Sequence, residues 1–179
     1  MKQYKIGNIS LELRQGNIAS QPDMEAVVNA ANAGLRTGGG VAGAIHRAAG
    51  PGLERECRPL APIKAGEAVI TGAHDLPNQY VIHCLGPIYG LDHPEDKLLA
   101  DCYGNALQLA EENGIRTIAF PAISTGAFGY PPEEAVPIAL DTILNRIPKL
   151  KSVQRIAMVL YSGSDYQVHE NYLNEKLRS

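Results

Sequence analysis

Short apolar runs of strand length alternate along this chain with longer segments that carry helical spacing, and that rhythm constrains the fold most. Residues 26–29 (AVVN) and 117–121 (TIAFP) are short and apolar, as buried strands are. Residues 97–113 form a strong helix closed by Asn113-Gly114. Residues 41–49 read as another, with Ile45 and Ala49 on one face and Gly50-Pro51-Gly52 stopping it, and a shorter helix covers 53–58. Strands are expected over 66–71 and 79–85, parted by the turn Asp75-Leu76-Pro77-Asn78, and again over 152–160. Pro131, Pro132, Glu133 and Glu134 suit the first turn of a helix, and a last helix spans 165–177. Strands alternating with long helices imply an α/β sandwich on a largely parallel sheet. The runs 4–6 and 9–13, joined by Gly7-Asn8, should add an antiparallel edge. No repeat, low-complexity tract or linker divides the 179 residues, so one domain over 1–179 is expected.

Composition narrows what such a sandwich handles. Hydrophobic residues make up 45% and charged residues 20%, enough for a packed core. A net charge of −3 argues against coating nucleic acid, which needs a basic stripe. A small anion is still open to it, because backbone amides and helix dipoles bind anions without net positive charge. Cys57, Cys84 and Cys102 are odd in number and widely spaced, which fits buried thiols in a reducing compartment rather than a zinc site. The opening MKQYKIGNISLELRQ lacks the apolar core of a signal peptide, and no run is long enough to span a membrane. The expectation is a cytoplasmic protein with no membrane partner.

Two segments between strand and helix are rich in glycine: 38–43 (GGGVAG) and 124–129 (STGAFG). Glycine lets the backbone approach an anion closely and adopt positive φ, so that N–H groups converge on phosphate oxygens. Each helix start adds a favourable dipole, about 0.3–2 kcal/mol. Such loops are also plain turns in many chains. Two of them in equivalent places favour a ligand, and two facing loops suit a diphosphate. Gly38, Gly40 and Gly43 match the dinucleotide spacing G-x-G-x-x-G, but eight residues (30–37) part them from the preceding strand. The acidic residue that should end the next strand is also missing, since Glu54 and Glu56 fall in a helix. No glycine loop runs into Gly-Lys-Ser/Thr, so there is no P-loop.

The motifs VVNAAN, GGGVAGAIHRAAGPGL, GEAVITGAHDLP, VIHCLGP and FPAISTGAFGYP, in that order from about Gln15 to Tyr161, together resemble the macrodomain family. The likeness is strongest to its MacroD-like branch, which includes bacterial O-acetyl-ADP-ribose deacetylases. It implies a three-layer α/β/α sandwich on a mixed, mostly parallel sheet of six or seven strands. It further implies binding of ADP-ribose or O-acetyl-ADP-ribose, and hydrolysis of ADP-ribose esters, including those on mono-ADP-ribosylated proteins, with neither cofactor nor metal.

Carried onto these residues, the resemblance puts Gly38, Gly39, Gly40 and Val41 on one side of the diphosphate. Ser124, Thr125, Gly126, Ala127 and Phe128 line the other side, with Phe128 beside the distal ribose. Asn32 contacts that ribose, whose C1″ carries the scissile bond. Asn17 and Ile18 lie at adenine, and Tyr161 packs on the base, where stacking contributes about 1–3 kcal/mol. Tyr161 can equally be an aromatic ending a core strand. Asn17 stands where relatives carry Asp, so adenine recognition loses charge assistance, about 1 kcal/mol.

The larger departure is Ala42, where MacroD-like enzymes carry an Asp assigned to the attacking water. Viral and some archaeal macrodomains share the GGGVA pattern, and several viral ones hydrolyse. Losing a general base costs about 10²–10⁴-fold unless another group replaces it. His46 lies one helical turn beyond Ala42 and is either that replacement, alongside Asn32, or a packing histidine. Three functions remain open: a hydrolase, a reader that binds ADP-ribose without cutting, and a binder of some other phosphate ligand or of nucleic acid.

Overall fold

A computed structural model describes residues 1–178. Seven strands form one sheet: β1 (Lys2–Ile6), β2 (Ile9–Gln15), β3 (Ala26–Ala30), β4 (Ala68–Gly72), β5 (Tyr80–Cys84), β6 (Thr117–Phe120) and β7 (Arg155–Leu160), in the order β1-β2-β7-β6-β3-β5-β4. The five central strands run parallel, while β1 on β2 and β4 on β5 are antiparallel edges. The expected N-terminal edge is therefore present, and the turn over 73–79 supplies a second one.

Side-chain alternation along the strands builds two cores. Val27, Val81, Ala119, Ala157 and Val159 face α1 (Gly40–Ala49) and α2 (Pro51–Cys57) on one side. Val28, Ile82, Phe120, Ile156 and Met158 face α3 (Glu95–Glu112), α4 (Pro132–Arg146) and α5 (Gly163–Arg178) on the other. In α3, Leu99, Cys102, Tyr103, Ala106, Leu107 and Ala110 repeat every three to four residues, which gives one buried stripe. The result is a three-layer α/β/α sandwich.

Most boundaries shift by a few residues from the sequence reading, the strand expected from 66 starting at Ala68 and the last helix at Gly163, and three of the shifts have a clear local reason. The strand expected from residue 152 starts at Arg155, because the carboxylate of Glu111 accepts the N–H groups of Lys151, Ser152 and Val153 at 2.7–2.9 Å. Helix α2 begins at Pro51 rather than at residue 53, since proline suits the first helical position, where its missing N–H is not needed. Helix α3 begins two residues early, behind Pro94, with Glu95 and Asp96 at the positive end of its dipole.

The topology decides where a ligand can lie. In open α/β sheets that place is beyond the carboxyl ends of the parallel strands. Here those ends lead, across the sheet, into five segments: Asn17 after β2, Tyr161 after β7, the second glycine loop after β6, Asn32 and the first glycine loop after β3, and Gly86 after β5. Strands are about 4.8 Å apart, so this row extends about 19 Å.

Candidate functional site

Strands β3 and β6 pair directly, so their two glycine loops emerge side by side. The first loop is braced from behind. The Asn32 side chain closes a ring with Arg36, donating Nδ2–H to its carbonyl at 2.8 Å and accepting its N–H at 2.9 Å. Leu35 is driven into the core at φ 53°, a left-handed conformation that leucine adopts only under constraint. Glu54, on α2, accepts the N–H of Thr37 at 3.3 Å and so ties the loop to the helix behind it.

Beyond that brace the backbone is open. Gly39 caps α1 with no side-chain hydrogen bond, so the N–H groups of Gly40, Val41 and Ala42 have no partner within the helix, whose first bond runs from Gly43 N–H to the Gly39 carbonyl at 3.2 Å. Gly40 has φ 55°, where glycine is unstrained. A Cβ on Gly43 would overlap the carbonyl oxygen of Gly38, so the loop folds onto its own helix only because glycine stands there.

Asn32, Gly38 and Ala42 form one corner. A Cβ on Gly38 would lie 3.1 Å from Asn32 Nδ2 and 4.0 Å from the Ala42 methyl. Asn32 keeps one N–H and one oxygen lone pair beyond its ring with Arg36, so it can still hold a hydroxyl or a water. Ala42 brings a buried methyl to this corner and no proton acceptor.

One turn on, His46 is buried on the inner face of α1, and neither ring nitrogen has a hydrogen-bond partner. Burial pulls its pKa down against an upward pull from Glu54, which favours the neutral imidazole. Its ring lies 6.4 Å, centroid to centroid, from that of His83. His83 is structural: Nδ1 accepts from Asn29 Nδ2 at 3.1 Å, and Nε2 meets the Thr71 hydroxyl at 3.0 Å. Burial pushes its pKa down to about 3.

The second loop is held differently. Ser124 sits at φ 68°, left-handed and non-glycine, and its buried hydroxyl has no partner. Its carbonyl accepts the Tyr130 N–H at 2.9 Å, and Gly126 accepts Gly129 N–H at 3.0 Å, closing the loop. Gly86, after β5, lies directly beneath, since a Cβ there would overlap the Ser124 hydroxyl. Thr125 and Phe128 are half-buried, while Gly126 and Ala127 are exposed. A buried strained serine with an idle hydroxyl is a common mark of a ligand site.

At the far end of the row, Tyr161 is 87% exposed, which removes the reading of a core aromatic. Asn17 is exposed, but its Oδ1 already accepts the Ala19 N–H at 2.9 Å, leaving one lone pair and the amide hydrogens for a ligand. The Ile18 side chain is buried in the core, so only its backbone can face a ligand. Sequence reading missed Glu54 and Gly86. Glu54 resembled any helix-surface acid, and Gly86 showed only as one glycine within VIHCLGP.

Other polar groups add no side chain to this row. His74 pairs with Glu56 at 2.7 Å, and the buried His169 bonds the Asp165 carbonyl through Nδ1 at 2.7 Å. The three cysteines are free and buried. A cavity of about 570 Å³ opens at the amino ends of β2 and β7 beside Lys5, Lys151 and Arg155, away from both glycine loops. Arg155 is spent there on Glu12 and Asp23. Among the described residues, no group of three or more His, Cys, Asp or Glu could hold a metal ion, and no helix is long and apolar enough to cross a membrane.

Comparison with known proteins places this geometry. The Macro domain family model matches residues 28–139. An O-acetyl-ADP-ribose deacetylase of Citrobacter koseri is 43% identical over 93% of this chain and 96% of that protein. The human ADP-ribose glycohydrolase MACROD2 is 48% identical over 86% of this chain, but only 37% of that longer protein. A glycine-to-valine mutant of the Oceanobacillus iheyensis macrodomain, solved with ADPR, superimposes with a TM-score of 0.95 at 36% identity, over 99% of each chain. With the two loops, the sheet order and these likenesses agreeing, the chain belongs to the macro domain family.

Proposed function

We propose that this chain is one cytoplasmic macrodomain that binds ADP-ribose along the carboxyl edge of its sheet and hydrolyses mono-ADP-ribose esters on proteins or on acetate. The observation that carries this reading is the pair of adjacent loops: unpaired helix N–H groups on one side, and an idle, strained Ser124 hydroxyl on the other. In this reading adenine lies between Asn17, the Ile18 backbone and Tyr161. The diphosphate lies between Gly38–Val41 and Ser124–Phe128, and the distal ribose between Asn32 and Phe128.

Hydrolysis then follows from positioning. Holding the diphosphate and the ribose fixes C1″ against a trapped water, which replaces a costly encounter by a prearranged one. For a protein acceptor, water oxygen bonds to C1″ as the bond from C1″ to the acceptor carboxylate oxygen breaks; for O-acetyl-ADP-ribose it bonds to the ester carbonyl carbon as the bond from that carbon to the ribose oxygen breaks, and the ribose oxygen takes up a proton. The acceptor leaves as a carboxylate, and the water proton passes to the substrate diphosphate or to neutral His46. Asn32 orients the water or the ribose hydroxyl through its spare donor and acceptor.

Ala42 favours a second reading, a module that binds ADP-ribose without turnover, because the corner beside Asn32 holds no carboxylate of its own. Single-turnover hydrolysis of a protein mono-ADP-ribosylated on Glu or Asp, and of O-acetyl-ADP-ribose, separates the two. Wild type is expected to release product above buffer, Asn32→Ala to slow it, and Ala42→Asp to speed it. No release by folded, ADP-ribose-binding wild type, with activity appearing only in Ala42→Asp, makes it a reader.

A further inference from the structure

The segment after β5, Gly86-Pro87-Ile88-Tyr89-Gly90-Leu91, continues the row of ligand-facing loops one strand past Asn32. It packs against the second glycine loop. Tyr89 N–H donates to the Phe128 carbonyl at 2.8 Å, the Tyr89 ring lies 4.9 Å from that of Tyr130, and Gly86 sits under Ser124. The loop is held in shape. Asp92 accepts the Ile88 N–H at 2.9 Å, Glu95 accepts that of Gly90, and the Ile88 carbonyl accepts the N–H groups of both Leu91 and Asp92.

Despite that order, it presents apolar side chains to water: Leu91 is 66% exposed, with Ile88 and Tyr89 more than a third exposed. Single exposed apolar residues are ordinary, but three within four positions on one fixed loop form a patch. Carboxylates surround it. Glu134 accepts from the Tyr89 hydroxyl, and Glu95, Asp96 and Glu134 together push the Tyr130 phenol pKa up, after burial. Of the nearby cations, Lys97 is paired with Asp101 at 2.8 Å.

The strand order sets the direction of the ligand. If adenine lies over β2 and β7 and the distal ribose over β3, the group attached to C1″ must emerge towards β5. We infer that the Ile88–Leu91 loop docks the polypeptide of a mono-ADP-ribosylated acceptor, favouring an apolar side chain flanked by a basic one next to the modified residue. The inference rests on the ADP-ribose reading above. It assigns a specificity-determining surface to the side of the site that ADP-ribose itself does not fill. The apolar patch supplies contact area, and its acidic rim selects positive charge and repels acidic sequences.

Affinity measurements test it whether or not the protein turns its ligand over. The probes are free ADP-ribose and two hydrolysis-resistant, triazole-linked ADP-ribosyl peptides, one with Leu and Lys beside the linkage and one with Ser and Asp. Wild type is expected to bind the Leu/Lys peptide about five- to tenfold more tightly than the Ser/Asp peptide. Leu91→Ser with Ile88→Ser should bring that ratio to about one and leave free ADP-ribose affinity unchanged. Leu91→Ser alone, at the most exposed position, keeps the test valid if the double variant misfolds. Equal peptide affinities in wild type, or an unchanged ratio in the variants, overturn the inference. So does a dimeric wild type that becomes monomeric in the variants, because the patch is then a contact between copies. Wild type that binds free ADP-ribose but shows no peptide preference defeats this inference alone. Wild type that binds no ADP-ribose defeats the underlying reading.

Discussion

The two glycine loops reach similar positions by opposite means. The first obtains its left-handed turn from Gly40, where positive φ costs nothing, and is then braced by Asn32, Leu35 and Glu54. The second forces the same kind of turn onto Ser124, a residue that resists it by about 1–2 kcal/mol. Glycine would serve the backbone better there, so the serine brings something else. Its buried, unpartnered hydroxyl is the one group that glycine would remove. The contrast teaches that the first glycine run offers backbone N–H groups and leaves its strain behind it at Leu35, whereas the second bears strain at the candidate site itself and keeps a side chain there.

Adding a methyl at the glycine beneath each loop should break them unequally, and this is the largest effect expected. In Gly43→Ala the new Cβ meets the backbone carbonyl of Gly38, which cannot rotate away. In Gly86→Ala it meets the ends of two side chains, Ser124 and Ile123. Destabilisation of about 1–3 kcal/mol is expected for Gly43→Ala, with less for Gly86→Ala and weakened ADP-ribose binding in both. Denaturant unfolding and calorimetry measure this, and a more costly Gly86→Ala would reverse the comparison.

Acid should loosen the packing beneath both loops. His83, under α1 and the first loop, has a folded pKa near 3 against about 6.5 unfolded, so the unfolded chain binds the extra proton. Stability from this group is complete above about pH 6.5 and is lost as pH falls towards 3, by about 2 kcal/mol between pH 7.5 and 5. Thermal melts across that range should slope less in His83→Gln. His169, which lies beneath the second loop near Thr125, is lowered in the same direction, so His169→Gln should flatten the slope as well.

Ser124 itself sharpens the contrast. Ser124→Ala keeps the strain and loses the hydroxyl, whereas Ser124→Gly loses both. The glycine variant should be the more stable by about 1 kcal/mol, and both should bind ADP-ribose less tightly than wild type. Equal melting temperatures would show that the backbone there is not strained. The smallest effect belongs to the brace: Glu54→Ala should weaken ADP-ribose binding by about 0.5 kcal/mol through a loosened Thr37, with Glu54→Gln recovering most of it.

Much of this was legible in the sequence, for stated reasons. Strand–helix alternation and two glycine loops are local signals, and they placed the sheet, the helices and the two loops that flank the proposed site. The unread parts depend on contacts between distant residues. Glu111 shortens β7 from 40 residues away, and Glu54 reaches the first loop from another helix. The φ of Ser124 appears only once the loop is closed by Tyr130, and the apolar loop after β5 gains meaning only from its place in the strand order. Ala42 was visible as a missing carboxylate, but that Asn32 keeps a spare donor and acceptor beside it is a fact of the fold.

The central claim is that the two loops clasp ADP-ribose between them, and calorimetric titration of wild type beside Ser124→Ala tests it most directly. The account predicts one site per chain, saturable in the micromolar range, with affinity reduced in Ser124→Ala. Absence of heat from folded wild type at high micromolar ADP-ribose, or undiminished binding by Ser124→Ala, would contradict it.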